Sequence, residues 1–379
     1  MHLGIHQPRT RMSESLGAIA AFVMAVLLAV VSLGIAPATA QTPAPSCAPL
    51  AAGTPAASPA APVEVPPVTV PENATRLKVG YMPLSIYAPI YVAHAKGYYA
   101  EQGLDVELQS FTNGTDMTVL TSTNDLQIGL TGVGPAFWNA IDQGLPLKII
   151  APGHAEGSPV ASPLMISKKA CEAGTITSVA DLEGKRVSVN APGATEFWLD
   201  AALRTGGLTI EDVDLQYLTF PDAVTALDSG ALDAAIVGEP IATQAEQQGL
   251  AVRLLADFPV QHIQPTMVFG NEKWLQDNPK AATAFVAGYL HASRDLMENP
   301  NDPQNLAIIN QYTGVPAELV AESVKPVYAE DGTIDIDSLN LLQTFFGDRD
   351  LLDYDEPIDP ATIVDTQYVD AALKLLDGE

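Results

Sequence analysis

Basic residues are scarce in this chain of 379 residues, in which 18 lysines and arginines stand against 45 aspartates and glutamates. The formal net charge is −27, and the acidic residues are spread along the chain instead of forming a tail. Proteins that bind nucleic acids concentrate lysine and arginine on one face, so this composition argues against such a partner. An acidic surface favours solubility and does not identify a ligand.

Cysteine is also scarce, with only Cys47 and Cys171 in the chain. Two thiols are too few for a disulfide scaffold or a four-thiolate zinc site, and we expect no metal and no cofactor. In an oxidising compartment the two cysteines could pair with each other. Cys47 could instead carry a lipid, although Ala44-Pro45-Ser46 is a poor match to the sequence that usually precedes a lipidated cysteine.

The N-terminus has the pattern of an export signal. Two arginines precede an apolar stretch from Leu16 to about Ala36, which runs into the small residues Ala38-Thr39-Ala40. This pattern predicts a signal peptide over residues 1–40, although about 20 apolar residues could also remain as a membrane anchor. Residues 41–75 are rich in Ala, Pro, Thr and Ser, which predicts an extended linker. We therefore expect a periplasmic or cell-envelope protein.

Three short apolar runs each end in a turn rich in Gly or Pro, after which a helical pattern begins. These turns are Gly80–Pro83, Thr131–Pro135 and Asn190–Thr195. Strand and helix patterns alternate from Arg76 to about Phe269, and helix follows helix after Glu272. The chain is therefore expected to form an α/β fold with mainly parallel sheets and a helical C-terminal third. Strand-to-helix turns at a sheet edge bind ligands with helix N-terminal amides, which indicates solute capture.

A set of motifs between about residues 76 and 300 carries a family resemblance. The motifs are Gly80–Pro83, Ala88–Ala93, Ala95–Leu104, Gln127–Gly129, Gly132–Pro135, Asp181–Val187 and Leu232–Pro240. In this order they resemble the nitrate/sulfonate/taurine and thiamine-pyrimidine-precursor binding proteins, which are the solute-binding components of ABC importers. The resemblance implies a periplasmic-binding-protein type II fold, in which two α/β lobes close on a ligand.

The resemblance also implies a division of the chain into lobes. We expect crossings at Ser162-Pro163 and Gln264-Pro265, so that residues 76–162 and 265–379 form the first lobe and residues 163–264 form the second. The C-terminal helices are expected to pack on the first lobe. The expected partners are a small organic solute and an ABC permease in the membrane, and we expect a monomer.

Candidate ligand-binding residues of the first lobe follow its predicted strands. Ser85 can donate a hydrogen bond, and Tyr87 offers an aromatic face with a polar tip, although it could simply pack under a helix. The glycines of Thr131-Gly132-Val133-Gly134 let backbone amides approach a ligand, although a plain tight turn would have the same sequence. His154 follows another strand and could bind the ligand, although a lone histidine is more often structural.

In the second lobe, Gly193-Ala194-Thr195 is the counterpart turn. The resemblance implies that a hydroxyl is common at the position of Ala194, and its absence argues against strong anion capture. Glu239 follows a buried-looking strand and could pair with an amine or a ring nitrogen, or it could be a solvated loop acid. Together these residues favour a heteroaromatic or amine-bearing solute over a sulfonate, with nitrate third.

We expect no catalysis, because the sequence has neither a Gly-x-Ser-x-Gly elbow nor a Walker lysine loop. The main enzyme alternative is a pyridoxal-phosphate-dependent pyrimidine-precursor synthase, which shares the implied fold. The resemblance places the lysine of those enzymes at Thr131, which cannot form a Schiff base, and their Cys-rich run is absent. A ligand-sensing domain for a membrane partner is a further alternative, because a pair of lobes serves both purposes.

Overall fold

Two five-stranded sheets organise the chain in this computed structural model, which describes residues 65–378. The first sheet has the order β2-β1-β3-β11-β4 and contains β1 (Thr75–Tyr81), β2 (Leu104–Ser110), β3 (Ile128–Gly132), β4 (Leu147–Pro152) and β11 (Thr266–Asn271). The second has the order β10-β6-β9-β7-β8 and contains β6 (Leu164–Ser167), β7 (Arg186–Val189), β8 (Asp214–Tyr217), β9 (Ala234–Ile236) and β10 (Ala251–Leu255). We call each sheet with the helices that pack on it a lobe.

The helices confirm the predicted change from alternating strands and helices to a helical C-terminal third. Those before β11 are α1 (Ala88–Ala95), α2 (Tyr98–Glu101), α3 (Gly114–Ser122), α4 (Pro135–Asp142), α5 (Lys168–Glu172), α6 (Ala194–Arg204), α7 (Phe220–Ser229) and α8 (Ile241–Gln247). Those after it are α9 (Glu272–Asp277), α10 (Pro279–Glu298), α11 (Pro303–Thr313), α12 (Ala317–Glu322), α13 (Ile336–Asp348) and α14 (Gln367–Asp377). Short 3-10 turns cover Ser85–Tyr87, Val179–Leu182, Ile210–Asp212 and Pro360–Thr362.

Local chemistry explains where several of these helices begin. Pro135 and Pro279 lie in the first turns of α4 and α10. A backbone N–H at this position has no acceptor within the helix, so proline, which lacks the N–H, costs no hydrogen bond there. The carboxylates of Asp302 and Asp335 accept hydrogen bonds from the first backbone N–H groups of α11 and α13. Such caps satisfy amides that otherwise have no partner in the helix.

The chain passes between the sheets twice. It leaves the first sheet after β4, forms β5 (His154–Ala155), which pairs with β12 (Val327–Tyr328), and enters β6. It returns from β10 to β11, which is antiparallel to both of its neighbours, β3 and β4. We call the two connections, residues 156–163 and 256–265, the hinge. The α/β architecture is thus as predicted, but the prediction of mainly parallel sheets is wrong: the two sheets contain four parallel and four antiparallel strand pairings, because β11 in the first sheet and β6 in the second run antiparallel to both of their neighbours. The lobe boundaries at residues 162 and 265 stay a prediction.

The hinge segments hydrogen-bond to each other. The Glu156 carbonyl accepts from the His262 N–H at 2.9 Å, and the Val160 N–H donates to the Ala256 carbonyl at 3.0 Å. His262 has a φ of 69°, a backbone conformation that is strained for residues other than glycine. The two connections therefore form one paired unit instead of two independent tethers.

Three apolar clusters form the core. One joins the first sheet to α1, α10 and α14, and includes Val79, Ile90, Leu130, Phe285 and Tyr368. A second joins the second sheet to α7 and α8, and includes Met165, Phe220, Leu227 and Ala245. The third cluster contains residues of both lobes and of α13, among them Phe137, Trp138, Trp198, Leu342 and Phe346. Helix α13 therefore packs into a core that the two lobes share.

Several predictions concern residues that are not described. The signal peptide over 1–40, most of the linker over 41–75 and Cys47 lie outside residues 65–378. The pairing or lipidation of Cys47 therefore stays a prediction, while Cys171 is buried on α5. Within residues 65–378, no helix combines the length and the apolar character needed to cross a bilayer.

Two glycines flank β11 and provide a test of this packing. A Cβ on Gly153 would lie 2.6 Å from the Thr266 carbonyl carbon, whereas a Cβ on Gly132 would meet only the Pro265 oxygen, at 3.7 Å. We expect Gly153→Ala to lower the free energy of unfolding by about 3 kcal/mol, because backbone has to move. The matched Gly132→Ala should change it by less than about 1 kcal/mol. Urea unfolding of both variants checks this, and equal losses would contradict the assigned position of β11.

Candidate functional site

The two turns predicted to bind the ligand face each other across the gap between the lobes. A Cβ on Gly134 would lie 3.8 Å from the Gly193 Cα, and a Cβ on Gly193 would lie 3.7 Å from the Pro135 Cδ. Gly193 has a φ of 141°, which glycine adopts without the strain of a side chain. The turn after β3 and the turn before α6 therefore approach within van der Waals distance.

Each of these turns begins a helix. Gly134 precedes α4 in the first lobe, and Gly193 precedes α6 in the second. The first amides of a helix lack intrahelical partners and carry a partial positive charge. Two helix N-termini from opposite lobes therefore converge on one point, which can accept a polar or negatively charged ligand group.

Ser85, Tyr87 and Thr131 lie deeper in the first lobe than the facing turns. All three are buried, and Tyr87 belongs to the core cluster of the first sheet. Burial raises the pKa of the Tyr87 phenol, and a hydrogen bond with Thr131 opposes part of that rise. The Ser85 hydroxyl has no partner among the described residues, and the Ser85 carbonyl accepts from the Tyr328 hydroxyl at 2.7 Å. Their contact with a ligand stays a prediction.

His154 lies on β5, two residues before the hinge, and its ring already has protein partners. Its Nδ1 is 2.7 Å from the Thr266 hydroxyl, and its Nε2 is 3.9 Å from a Glu156 carboxylate oxygen. The side chain is buried. These contacts make His154 part of the hinge structure, and a direct bond to ligand stays a prediction.

Glu156 connects the hinge to the second lobe, a role that sequence reasoning missed. Its carboxylate accepts from the Trp198 Nε1 at 2.8 Å and from the Ala161 N–H at 2.6 Å. Burial alone would raise the pKa of Glu156, but the nearby His154 ring and the hydrogen bonds from Trp198 and Ala161 outweigh it and lower the pKa. The buried carboxylate is therefore held ionised at the point where the two lobes meet.

The second-lobe turn uses its side chains internally. The Thr195 hydroxyl donates to the Asn190 carboxamide oxygen at 2.7 Å, so the one hydroxyl of this turn is engaged. Ala194 is half-buried and contributes no polar side chain. The buried Glu196 carboxylate accepts from the Gly193 N–H at 3.2 Å and from the Tyr217 hydroxyl at 2.6 Å. This turn therefore offers a ligand its backbone more than its side chains.

Glu239 is buried, with 1% of its surface exposed, so it is not a solvated loop acid. Its carboxylate accepts from Arg253 at 2.6 Å and from the Thr243 N–H and hydroxyl, both at 3.0 Å. Arg253 also pairs with Glu246 at 2.9 Å. The Val324 N–H lies 3.4 Å from Glu239. A ligand amine would have to share Glu239 with these groups, and that contact stays a prediction.

A cavity of about 330 Å³ lies elsewhere, between residues 65–70 and the first lobe. None of the sequence-predicted binding residues line it, and two of its polar groups, His94 and Tyr312, are already bonded to each other at 3.0 Å. Among the described residues no group of three or more His, Cys, Asp or Glu side chains could hold a metal ion. We therefore place the candidate site between the facing turns, where both lobes contribute.

Comparison with known proteins shows to which family the chain belongs. The model of the family described as NMT1/THI5 like matches residues 85–302, which is more than half of the chain. The chain belongs to the NMT1/THI5-like family. This confirms the resemblance predicted from the sequence motifs.

Two relatives of known ligand show how varied such proteins are. The chain is 25% identical over 280 residues to the nitrate/nitrite binding protein NrtA of Nostoc sp., a match that covers 67% of this chain and 61% of NrtA. It is 29% identical over 237 residues to the riboflavin-binding protein RibY of Chloroflexus aurantiacus, covering 61% of this chain and 65% of RibY. The match therefore spans less than two thirds of either relative.

Solved structures confirm the predicted periplasmic-binding-protein fold. The periplasmic nitrate-binding protein NrtA from Synechocystis aligns with a TM-score of 0.69 at 18% identity, over 82% of this chain and 91% of that one. The desulfurization enzyme DSZB aligns with a TM-score of 0.57 at 17% identity, over 79% and 99%. The fold is thus common to a binding protein and to an enzyme, and it does not by itself decide between them.

The pairing of Glu239 with Arg253 predicts a stability defect. Glu239→Gln leaves the buried guanidinium with Glu246 as its one carboxylate partner among residues 65–378, so we expect a loss of about 3 kcal/mol in the free energy of unfolding. Glu272→Gln is the matched control, because Glu272 forms a more exposed pair with Lys148 at 3.7 Å. It should cost less than about 1 kcal/mol. Urea unfolding measures both, and an unchanged Glu239→Gln would show that the pair does not support the fold.

The lowered pKa of Glu156 predicts a loss of stability in acid. A carboxyl group with a lower pKa in the folded state binds protons more readily when unfolded, so its contribution is present above about pH 4.5 and declines as pH falls through the folded pKa. We expect Glu156→Gln to be less stable than the wild type at pH 7 but to lose less stability between about pH 5 and pH 3, the range in which carboxyl groups with ordinary pKa values titrate. Parallel pH slopes for the two proteins would contradict the assigned ionisation.

Proposed function

We propose that this protein is the extracytoplasmic solute-binding component of an ABC importer and that it holds a small organic solute between its two lobes. The observation that carries the proposal is the convergence of the Gly134 and Gly193 turns, each at the N-terminus of a helix from a different lobe. The names of the relatives, which bind nitrate/nitrite or riboflavin, support solute binding. A membrane permease as the partner and a monomeric state belong to the same proposal.

The proposed function needs one lobe to rotate against the other. Such a rotation would turn on the two paired connections of the hinge, and it would also have to separate apolar contacts in the core that the two lobes share. A solute between the turns takes the place of the direct contact between Gly134 and Gly193 and receives hydrogen bonds from both helix N-termini. Closure then presents one composite surface to the permease.

The charges near the cleft favour a neutral heteroaromatic or amine-bearing solute. Three buried carboxylates lie close to the lobe junction, on Glu156, Glu196 and Glu239. The nearby cations are engaged: Arg253 pairs with Glu239, Arg349 pairs with Glu196 and Glu211, and the Lys325 ammonium donates to three backbone carbonyls. A sulfonate or nitrate would therefore depend on the helix N-termini alone, which ranks the sulfonate second and nitrate third.

We infer that the protein is not an enzyme. A pyridoxal-phosphate-dependent synthase would need a lysine at Thr131, where the chain has a hydroxyl bonded to Tyr87. The likeness to DSZB keeps an enzyme as the second candidate, since that fold supports chemistry. A new absorbance band on addition of pyridoxal phosphate would favour this second candidate.

A thermal-shift screen of the full chain tests solute binding. The compounds are riboflavin, an aminopyrimidine, taurine, ethanesulfonate, nitrate and pyridoxal phosphate. A compound that binds only the folded state stabilises it by about 2.7 kcal/mol at 100 times its Kd, which raises the unfolding midpoint by several degrees. We expect riboflavin or the aminopyrimidine to give the largest rise. A larger rise with ethanesulfonate or nitrate would overturn the ranking, and no rise with any compound would contradict the proposed solute class.

Substitutions at Gly134 test whether the solute binds between the two turns. Alanine fits, because its Cβ would make an ordinary contact at 3.8 Å with the Gly193 Cα, whereas leucine would hold the turns apart. We expect Gly134→Ala to keep the affinity for the best compound and Gly134→Leu to weaken it at least tenfold, measured by isothermal titration calorimetry. Both variants should retain the wild-type circular dichroism. Wild-type affinity in Gly134→Leu would move the site away from the facing turns.

A further inference from the structure

We infer that Arg349 is a positioning residue that holds the second-lobe turn against the first-lobe turn. Arg349 directly follows α13 and is remote in sequence from both turns. The inference deepens the proposed function, because it concerns the arrangement in which the solute would be held, and it rests on that function for its biological meaning. The geometry that supports it needs no ligand.

Arg349 reaches the second lobe through two carboxylates. Its Nη2 lies 3.5 Å from the Glu196 Oε1, and its Nη1 pairs with Glu211. The Arg349 side chain is 17% exposed and Glu196 is fully buried, whereas the Glu211 side chain is 78% exposed. An exposed ion pair contributes little, so the contact that matters is the one with Glu196.

Glu196 connects Arg349 to the second-lobe turn. One of its oxygens accepts from the Gly193 N–H at 3.2 Å, and the other accepts from the Tyr217 hydroxyl at 2.6 Å and faces Arg349. A buried carboxylate is stabilised by a cation far more than by neutral donors alone. Without Arg349, the burial of Glu196 becomes unfavourable, and the turn that it caps loses its fixed position.

The residues after Arg349 are attached to the first lobe. The Asn139 side chain on α4 donates to the Leu351 carbonyl at 3.3 Å and accepts from the Asp353 N–H at 3.0 Å. Helix α4 connects β3 to β4, and its residue Phe137 packs against Phe269 of β11 at a ring distance of 5.3 Å. The same helix begins at Gly134, so the anchor and the first-lobe turn belong to one rigid element.

Helix α13 completes the connection. Its residue Phe345 makes an edge contact with Phe197 of α6, with ring centroids 5.3 Å apart at 83°. Leu342 and Phe346 lie in the core that both lobes share. Residues 345–353 thus form a brace that joins α4 to α6, the two helices whose N-termini face each other. Arg349 is the charged contact of this brace with the second lobe.

Hydrogen exchange of the ligand-free full chain, followed by mass spectrometry, tests the inference. We expect Arg349→Ala to raise exchange at least fivefold in peptides from both turns, residues 133–140 and 192–199, and to leave β1 and β7 unchanged. Arg349→Lys should restore most of the protection, because it keeps a cation near Glu196. Arg204→Ala is the matched control: Arg204 lies on α6, as Glu196 does, and pairs with Asp200 at 2.6 Å, but that bond stays within the helix.

Hydrogen exchange in the first-lobe peptide, residues 133–140, shows whether Arg349 positions the two turns or only supports its surroundings. A rise confined to residues 192–199 would mean that Arg349 only caps its own lobe, and a rise throughout the second lobe would mean that it only stabilises the fold. Either result overturns the inference, as does an equal rise in Arg204→Ala. If Arg349→Ala does not fold, Asn139→Ala cuts the other end of the brace and should raise exchange in the same two peptides. Because no ligand is used, a failed solute screen leaves this result unaffected.

Discussion

The return of β11 into the first sheet, between β3 and the edge strand β4, is the constraint on which the rest of the molecule depends. β11 is hydrogen-bonded to β3 on one side and to β4 on the other, both antiparallel. The chain therefore re-enters the first sheet beside the strand from which it departed, and the two connections must run together. Their pairing makes the hinge, and the hinge sets the second lobe opposite the carboxyl ends of β1 and β3.

Under the proposed function, this arrangement leaves most of the contacts with a solute to backbone groups. The polar side chains at the junction already satisfy one another: Glu156 binds Trp198, Glu196 caps Gly193, and Glu239 pairs with Arg253. Buried charges that are paired in this way leave few groups free for a ligand; among the described residues, the Arg253 Nη1, the Arg349 Nε and the Ser85 hydroxyl are buried without a hydrogen-bond partner. Helix N-termini and close-approaching glycines then become the available contacts.

The sequence predicts the strands and helices, which depend on local pattern, and misses the side-chain contacts that form between segments distant in the chain. Alternating apolar runs with Gly/Pro turns locate the strands around Gly80, Gly134 and Gly193, and the change to continuous helix after Glu272 is confirmed. The bond from Trp198 to Glu156 joins residues 42 positions apart, and the pair of Arg349 with Glu211 joins residues 138 apart. No local pattern encodes such contacts, because they exist only once both lobes and α13 are assembled. Glu239 illustrates the same limit: its position after a strand was evident, but not its buried pairing with Arg253.

The central claim, that solute is held between the facing turns, is tested most directly by a crystal structure of the protein with the compound that gives the largest thermal shift. The account predicts ligand density between residues 132–136 and 191–196, with hydrogen bonds from the first amides of both α4 and α6. Ligand density in the cavity beside residues 65–70, or contacts with one lobe alone, would contradict it.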